Sequence, residues 1–200
     1  MKKFDRRQPE VRQNEIQNAA LKLFNEKGFK ATTMENIVQN VSLSKGGVYR
    51  IYPSTTAILS DLIINGMHLR NEYYVKRAAE ILESKQAISI EDVVEMIIDS
   101  MFLYPEFSNV YVEFLWEKQR NPELEKLYQV IYRQTVEDTS KMITDFKTSI
   151  DINILQKSLE NLADVMNSLI ISVKVLGLEQ SIETNRDRIS EMIMLMIRNN

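Results

Sequence analysis

Two hundred residues, 44% of them hydrophobic and with a net charge of −3, can fill one large core, or a small domain joined to a larger one. The chain has no cysteine, which excludes disulfides and thiolate metal sites and fits a reducing cytoplasm. No apolar run is long enough to span a bilayer, and the opening MKKFDRRQPE lacks the apolar core of a signal peptide.

Strand signals are scarce, so an all-α fold is expected. The first helix runs from about Pro9 to Lys27. Pro9 suits an opening turn, and Ile16, Ala19, Ala20, Leu23 and Phe24 recur at helical spacing. Gly28 followed by Phe29 reads as a Schellman-type stop with its hydrophobic contact. The next stretch, TTMENIVQNVSLSKGGVYRIYPSTTAIL from Thr32, reads as two very short helices and the start of a longer one. Thr32 and Thr33 are N-cap types, and Glu35 stands three residues after Thr32, as a capping box requires. Met34, Ile37, Val38 and Val41 give the first short helix its apolar face. Ser44 caps the second, which opens at Lys45 and carries Val48, Tyr49 and Tyr52. Helices this short must lean on their neighbours, and the arrangement is a helix-turn-helix whose second helix can enter the major groove.

A fourth helix starts near Ser54 and reaches Leu82, with Gly66 inside it read as a packing accommodation. Ser89 caps a fifth helix through Phe102, and Tyr104-Pro105 stops it. A sixth, about Asn109 to Arg120, contains VYVEFLWEK and is apolar nearly all round, so a central position is expected. Asn121-Pro122 caps the seventh, which extends toward Phe146. The eighth spans Ile152 to Leu176, stopped by Gly177, and the ninth spans Asn185 to Arg198. On the eighth, Leu155, Leu159, Leu162, Met166, Leu169 and Val173 follow a 4-3-4-3-4 spacing. Val165 widens that seam on one side, and Ala163 and Ile170 on the other. One edge can meet the chain's own core and the other a partner.

These elements divide into a head, residues 1–53, and a helical body, residues 54–200. Between Met1 and Tyr52 ten Lys/Arg face five Asp/Glu; beyond Tyr52 the balance is fifteen against twenty-three. A basic head on an acidic body suits DNA binding, with Lys2, Lys3, Arg6 and Arg7 as a phosphate-contacting arm. Enzymatic constellations are missing from the pattern. His68 is the single histidine and shares a stripe with Asp61, Asn65 and Glu72, read as a solvated face, as are Glu91, Glu95 and Asp99. No phosphate loop, HExxH or nucleophile elbow occurs, so neither an enzyme nor a cofactor or metal is expected.

The pattern Thr33, Ile37-Val38, Ser44-Lys45-Gly46, Val48-Tyr49, Tyr52, Ser54 and Leu59 resembles the TetR family of transcriptional repressors, at motif strength from Glu15 to Leu62. The resemblance implies a ligand-responsive repressor that binds a palindromic operator as a homodimer and is released by a small-molecule inducer. On the DNA side Lys45 and Arg50 can serve phosphate or guanine. Thr33 can serve a phosphate, Ser44 caps the reading helix, and Gly46 and Gly47 leave the backbone free to approach the groove. Tyr49 matches the family's phosphate-contacting tyrosine, and Tyr52 its buried aromatic. The last two helices would pair across a two-fold axis through Leu155, Leu159, Leu162, Val165, Met166, Leu169, Ile170, Val173, Ile189, Met192, Ile193 and Met196. An apolar or aromatic inducer would lie among Phe102, Tyr111, Phe114, Trp116, Tyr128 and Tyr132, the aromatics expected to face inward. Glu113 interrupts the apolar sixth helix, and either pairs with Lys118 or Arg133 or favours a cationic ligand. Gly47 and Thr55 depart from the family pattern, which keeps open a helical protein-interaction regulator with weak or lost operator specificity.

Overall fold

The computed structural model describes the backbone of residues 9–145 and 152–198, and the side chains of 9–138, 140–141 and 162–196. The expected arm at Lys2, Lys3, Arg6 and Arg7 lies outside the described residues, as do Phe146 and the side chains of Leu155 and Leu159. The described residues form helices and connecting turns, with no strand.

Two compact units are present: Met1–Gly66 with Tyr104–Leu127, and Met67–Leu103 with Tyr128–Asn200. In the first unit α1 (Pro9–Lys27) buries Ile16, Ala20, Leu23 and Phe24 along one stripe. Gly28, at φ +83°, ends it; its N–H donates to Phe24 O at 2.9 Å, and the Phe24 and Phe29 rings meet edge-on at 5.3 Å. The left-handed glycine and its hydrophobic contact are present, but as a single-bond αL stop rather than the expected Schellman type, because the Phe29 N–H donates elsewhere. Two short helices follow, α2 (Met34–Gln39) and α3 (Lys45–Ile51), whose anchors Ile37 and Val48 are fully buried. Thereafter α4 (Thr55–Ser84) begins, burying Ile58, Leu59 and Leu62. Gly66 is a packing accommodation: a Cβ there would sit 3.3 Å from the Phe107 ring.

The same unit contains α6 (Pro105–Glu117), which the sequence reading assigns to the body. Pro105 opens this helix rather than closing α5 (Ile90–Ser100), because proline's fixed φ suits a first turn. Nor is α6 buried all round. Val110, Phe114 and Leu115 face in, whereas Trp116 is 58% exposed, its ring covered by the Arg120 guanidinium at 5.7 Å. Along the other side of α6, Asn109 donates to Asn25 Oδ1 at 2.9 Å, and Glu117 pairs with Lys30 at 3.0 Å. Between them Glu113 accepts from the Phe29 backbone N–H. The partner of Glu113 is therefore neither Lys118 nor Arg133 but the turn that ends α1, where glycine lets backbone and carboxylate approach closely.

A polar cluster lies inside this unit. Gln13 and Gln17 donate to the Tyr52 hydroxyl at 3.0 and 2.6 Å, and that hydroxyl donates to Asp61 at 2.6 Å. Asn65 donates to Gln17 Oε1 at 3.0 Å. Burial, with the Asp61 carboxylate beside it, pushes the Tyr52 hydroxyl up to about 12. Tyr52 is thus the buried aromatic expected. Asp61 and Asn65 are not a solvated face: they satisfy groups that α1 and Tyr52 bury.

The second unit takes the later part of α4, α5, α7 (Pro122–Asp145) from Tyr128 onward, α8 (Ile152–Leu176), α9 (Glu179–Thr184) and α10 (Arg186–Arg198). The bounds of α8 are those read from the sequence. The expected ninth helix is preceded by a further short one, α9, and so becomes α10. The core gathers Ala78, Val94, Ile98, Met101, Leu162, Val173 and Ile193. Ser89 caps α5 in a capping box with Asp92. Arg186 pairs with Glu95 at 2.7 Å and with Asp99, which also accepts from Tyr73 at 3.1 Å. Burial and that carboxylate raise the Tyr73 hydroxyl well above its ordinary value. On the face expected to be solvated at Glu91, Glu95 and Asp99, the last two stay partly open to water and also hold Arg186 at the start of α10.

Candidate nucleic-acid interface

The turn between α1 and α2 sets the first edge of the site. Thr33, not Thr32, is the N-cap of α2: Asn36 N–H donates to its hydroxyl at 3.2 Å, and its own N–H donates to Asn36 Oδ1 at 3.0 Å. An asparagine fills the role expected of an acidic residue one position earlier. Thr32 is buried, and its hydroxyl donates to Gly28 O at 2.9 Å and Leu23 O at 3.3 Å, satisfying carbonyls that α1 leaves open. Because Thr33 N–H is occupied by the box, the group that Thr33 offers outward is its hydroxyl.

Ser44 caps α3, accepting from Gly47 N–H at 3.2 Å. The register that follows separates the helix into two sides. Val48 points inward and is fully buried, while Lys45, Tyr49 and Arg50 point out; Tyr49 is 40% exposed. The two glycines differ. A Cβ at Gly46 would meet nothing within 4 Å, so the surface there is open. A Cβ at Gly47 would lie 3.3 Å from Ser44 Oγ and against Leu43, so Gly47 keeps the cap close rather than clearing a path for DNA.

Glu35, freed from capping, reaches across from α2 to α3. Its two carboxylate oxygens lie 3.0 and 3.1 Å from Lys45 Nζ, which stands 5.9 Å from the Tyr49 ring centre. The hydrogen bond and charge of Glu35 raise the Lys45 ammonium above its ordinary value. No ion pair involves Arg50 among the described residues. Thr33, Ser44, Lys45, Gly46, Tyr49 and Arg50 are all exposed along α2 and α3. Glu35 was missed as a member of this group, although its position ten residues before Lys45 was visible.

The other expected sites are less gathered. Tyr111 and Phe114 lie 5.9 Å apart in the first unit, and Tyr128 and Tyr132 lie 5.9 Å apart in the second, where Phe102 packs on the core. Trp116 does not face inward. Of the expected partner seam, Leu162, Val173 and Ile193 are buried within their own unit; Met166, Leu169, Ile170 and Ile189 pack against the same core. Val165 and Met196 are half-buried, and Met192 is exposed. The apolar side chains left outside include Ile171, Val175, Leu176, Leu178 and Leu195, none of them anticipated.

Two short capped helices, a buried stripe and an outward face of cations and tyrosine define a helix-turn-helix DNA-binding head. Residues 16–62 match the pattern described as bacterial regulatory proteins, tetR family. The chain is 29% identical over 145 residues to the uncharacterized HTH-type transcriptional regulator YfiR of Bacillus subtilis strain 168, covering 70% of this chain and 68% of that protein. It is 36% identical over 70 residues to the uncharacterized HTH-type transcriptional regulator YuxN of the same strain, covering 35% of this chain and 22% of that one. Its fold is similar to that of Salmonella enterica GusR, with a TM-score of 0.70 at 17% identity, over 98% of this chain and 100% of that one. Residues 16–62 therefore form a TetR-family helix-turn-helix DNA-binding domain, set in an all-helical fold.

Proposed function

We propose that the chain binds a palindromic DNA operator as a homodimer and represses transcription until a small-molecule inducer releases it. The observation that carries the DNA part is the division of α3: Val48 is anchored inside while Lys45, Tyr49 and Arg50 stand on one open surface. A helix held this way can lie in the major groove with cations and a tyrosine hydroxyl toward the phosphates. The exposed apolar residues of α8 and α10, among them Ile171, Val175, Met192 and Leu195, support a partner copy on the second unit. A two-fold dimer places two α3 helices roughly 34–36 Å apart on one face of the duplex. The inducer part rests on the family resemblance, with the Tyr111–Phe114 and Tyr128–Tyr132 pairs as aromatic contacts. Glu113 is not among the ligand residues, since it is engaged by Phe29.

Fluorescence anisotropy with duplexes tiled across the DNA flanking the chain's own coding region tests the reading. The expected result is saturable, salt-sensitive binding to one palindromic segment at two protomers per duplex. Binding to a partner protein with no preference among duplexes would instead favour the interaction-regulator alternative.

A further inference from the structure

The interface contains a residue of the wrong sign for its task. Glu35 is the single acidic residue between Thr33 and Tyr52. Its carboxylate spans Lys45 Nζ with both oxygens, and more than half of each side chain is open to solvent. An ion pair this exposed contributes little to folding. Nor is Glu35 needed as a cap, because Asn36 performs that role. What the pair does change is the charge that an approaching phosphate meets.

We propose that Glu35 sets the electrostatic strength of the DNA-binding face, holding Lys45 partly neutralised so that phosphate-driven binding to any duplex is weakened and depends less steeply on salt. The inference rests on the DNA-binding function proposed above. Non-specific binding is almost wholly electrostatic, and the logarithm of the binding constant falls with the logarithm of salt by about 0.9 per phosphate neutralised. A cation already paired with a carboxylate displaces fewer counterions when it reaches a phosphate. Operator binding adds base contacts and shape to that shared phosphate contribution, so the same lost charge weakens both kinds of duplex by a similar factor and leaves their ratio nearly unchanged. Arg50 is the internal contrast: it stands on the same face without an ion pair among the described residues.

The test compares wild type, Glu35→Gln, Lys45→Ala and the double variant. Each is titrated with the selected operator and with a scrambled duplex of equal length, across a salt series. Glu35→Gln is expected to steepen the salt dependence by up to about one on both duplexes, to tighten binding to both, and to leave the operator-to-scrambled ratio nearly unchanged. Lys45→Ala is expected to flatten the dependence by about one in the Glu35→Gln background and by clearly less in the wild-type background. Thermal midpoints of all four should agree, which separates charge from folding. Unchanged slopes and unchanged affinities in Glu35→Gln, beside a wild type that binds its operator, would overturn the role of Glu35 alone. A wild type that binds no duplex would overturn this role and the DNA-binding reading together.

Discussion

In the first unit, Gln13, Gln17, Tyr52, Asp61 and Asn65 close a hydrogen-bonded cluster that contains one carboxylate. In the second, Arg186, Glu95, Asp99 and Glu183 bring four charges together, each partly open to water. Neutral buried hydrogen bonds are insensitive to ionic strength, whereas ion pairs in contact with solvent are screened. The hydrogen-bonded cluster behind the DNA-binding face is therefore less open to salt than the Arg186 group, although the same unit also holds the partly exposed Lys30–Glu117 pair. Salt effects on DNA binding then report the interface more than a softened scaffold.

The comparison breaks most visibly at Tyr52. Tyr52→Phe removes an acceptor for Gln17 and the donor to Asp61, and is expected to cost about 2 kcal/mol in denaturant unfolding, equally at low and high salt. The pH dependence has a defined sign. Because the folded-state value of Tyr52 is raised to about 12, its contribution is complete below the unfolded value near 10 and is lost as pH rises between them. The gap between wild type and Tyr52→Phe should narrow over that window. A gap that stays constant would mean that the hydroxyl is not held as described. The next effect is smaller: Glu113→Leu strands the Phe29 N–H and is expected to cost about 1 kcal/mol, while Glu113→Gln, which keeps an acceptor, costs less. Smaller still, Arg186→Met should cost no more than about 1 kcal/mol at low salt, and that cost should fade toward about 1 M salt. A salt-independent loss there would erase the contrast between the two units.

Much of this architecture is legible in the sequence wherever a rule is local. Ser44 before Lys45, Ser89 before Ile90 and Gly28 before Phe29 each fix an end through a backbone group and one neighbouring side chain, and Gly177 marks the end of α8 by its positive φ. The reading falters where the deciding partner is distant. Asp61 and Asn65 look solvated until Gln13, Gln17 and Tyr52 are folded against them. Glu95 and Asp99 look solvated until Arg186 arrives from about ninety positions away along the chain. Glu113 attracts speculation as a ligand group because nothing in its own helix reveals that Phe29 is its partner. Choosing between Thr32 and Thr33 is a different failure. Both fit the cap, and the choice falls on the one whose hydroxyl faces out, because α1 needs the other to close its last carbonyls. The broad seam of α8 is visible as a seam, but periodicity alone does not show that Leu162 and Val173 turn toward their own core while Ile171 and Val175 turn away.

Arg50 offers the sharpest test, because its expected effect on stability is near zero while its effect on binding is not. It is exposed and caps no helix. The measurement is the salt dependence of operator binding by wild type and Arg50→Ala, with unfolding followed in parallel. The account predicts an unchanged thermal midpoint, weaker binding, and a slope of log K against log salt reduced by about one. An Arg50→Ala protein that binds the operator with wild-type affinity and slope would contradict the assignment of α3 as the helix that meets DNA.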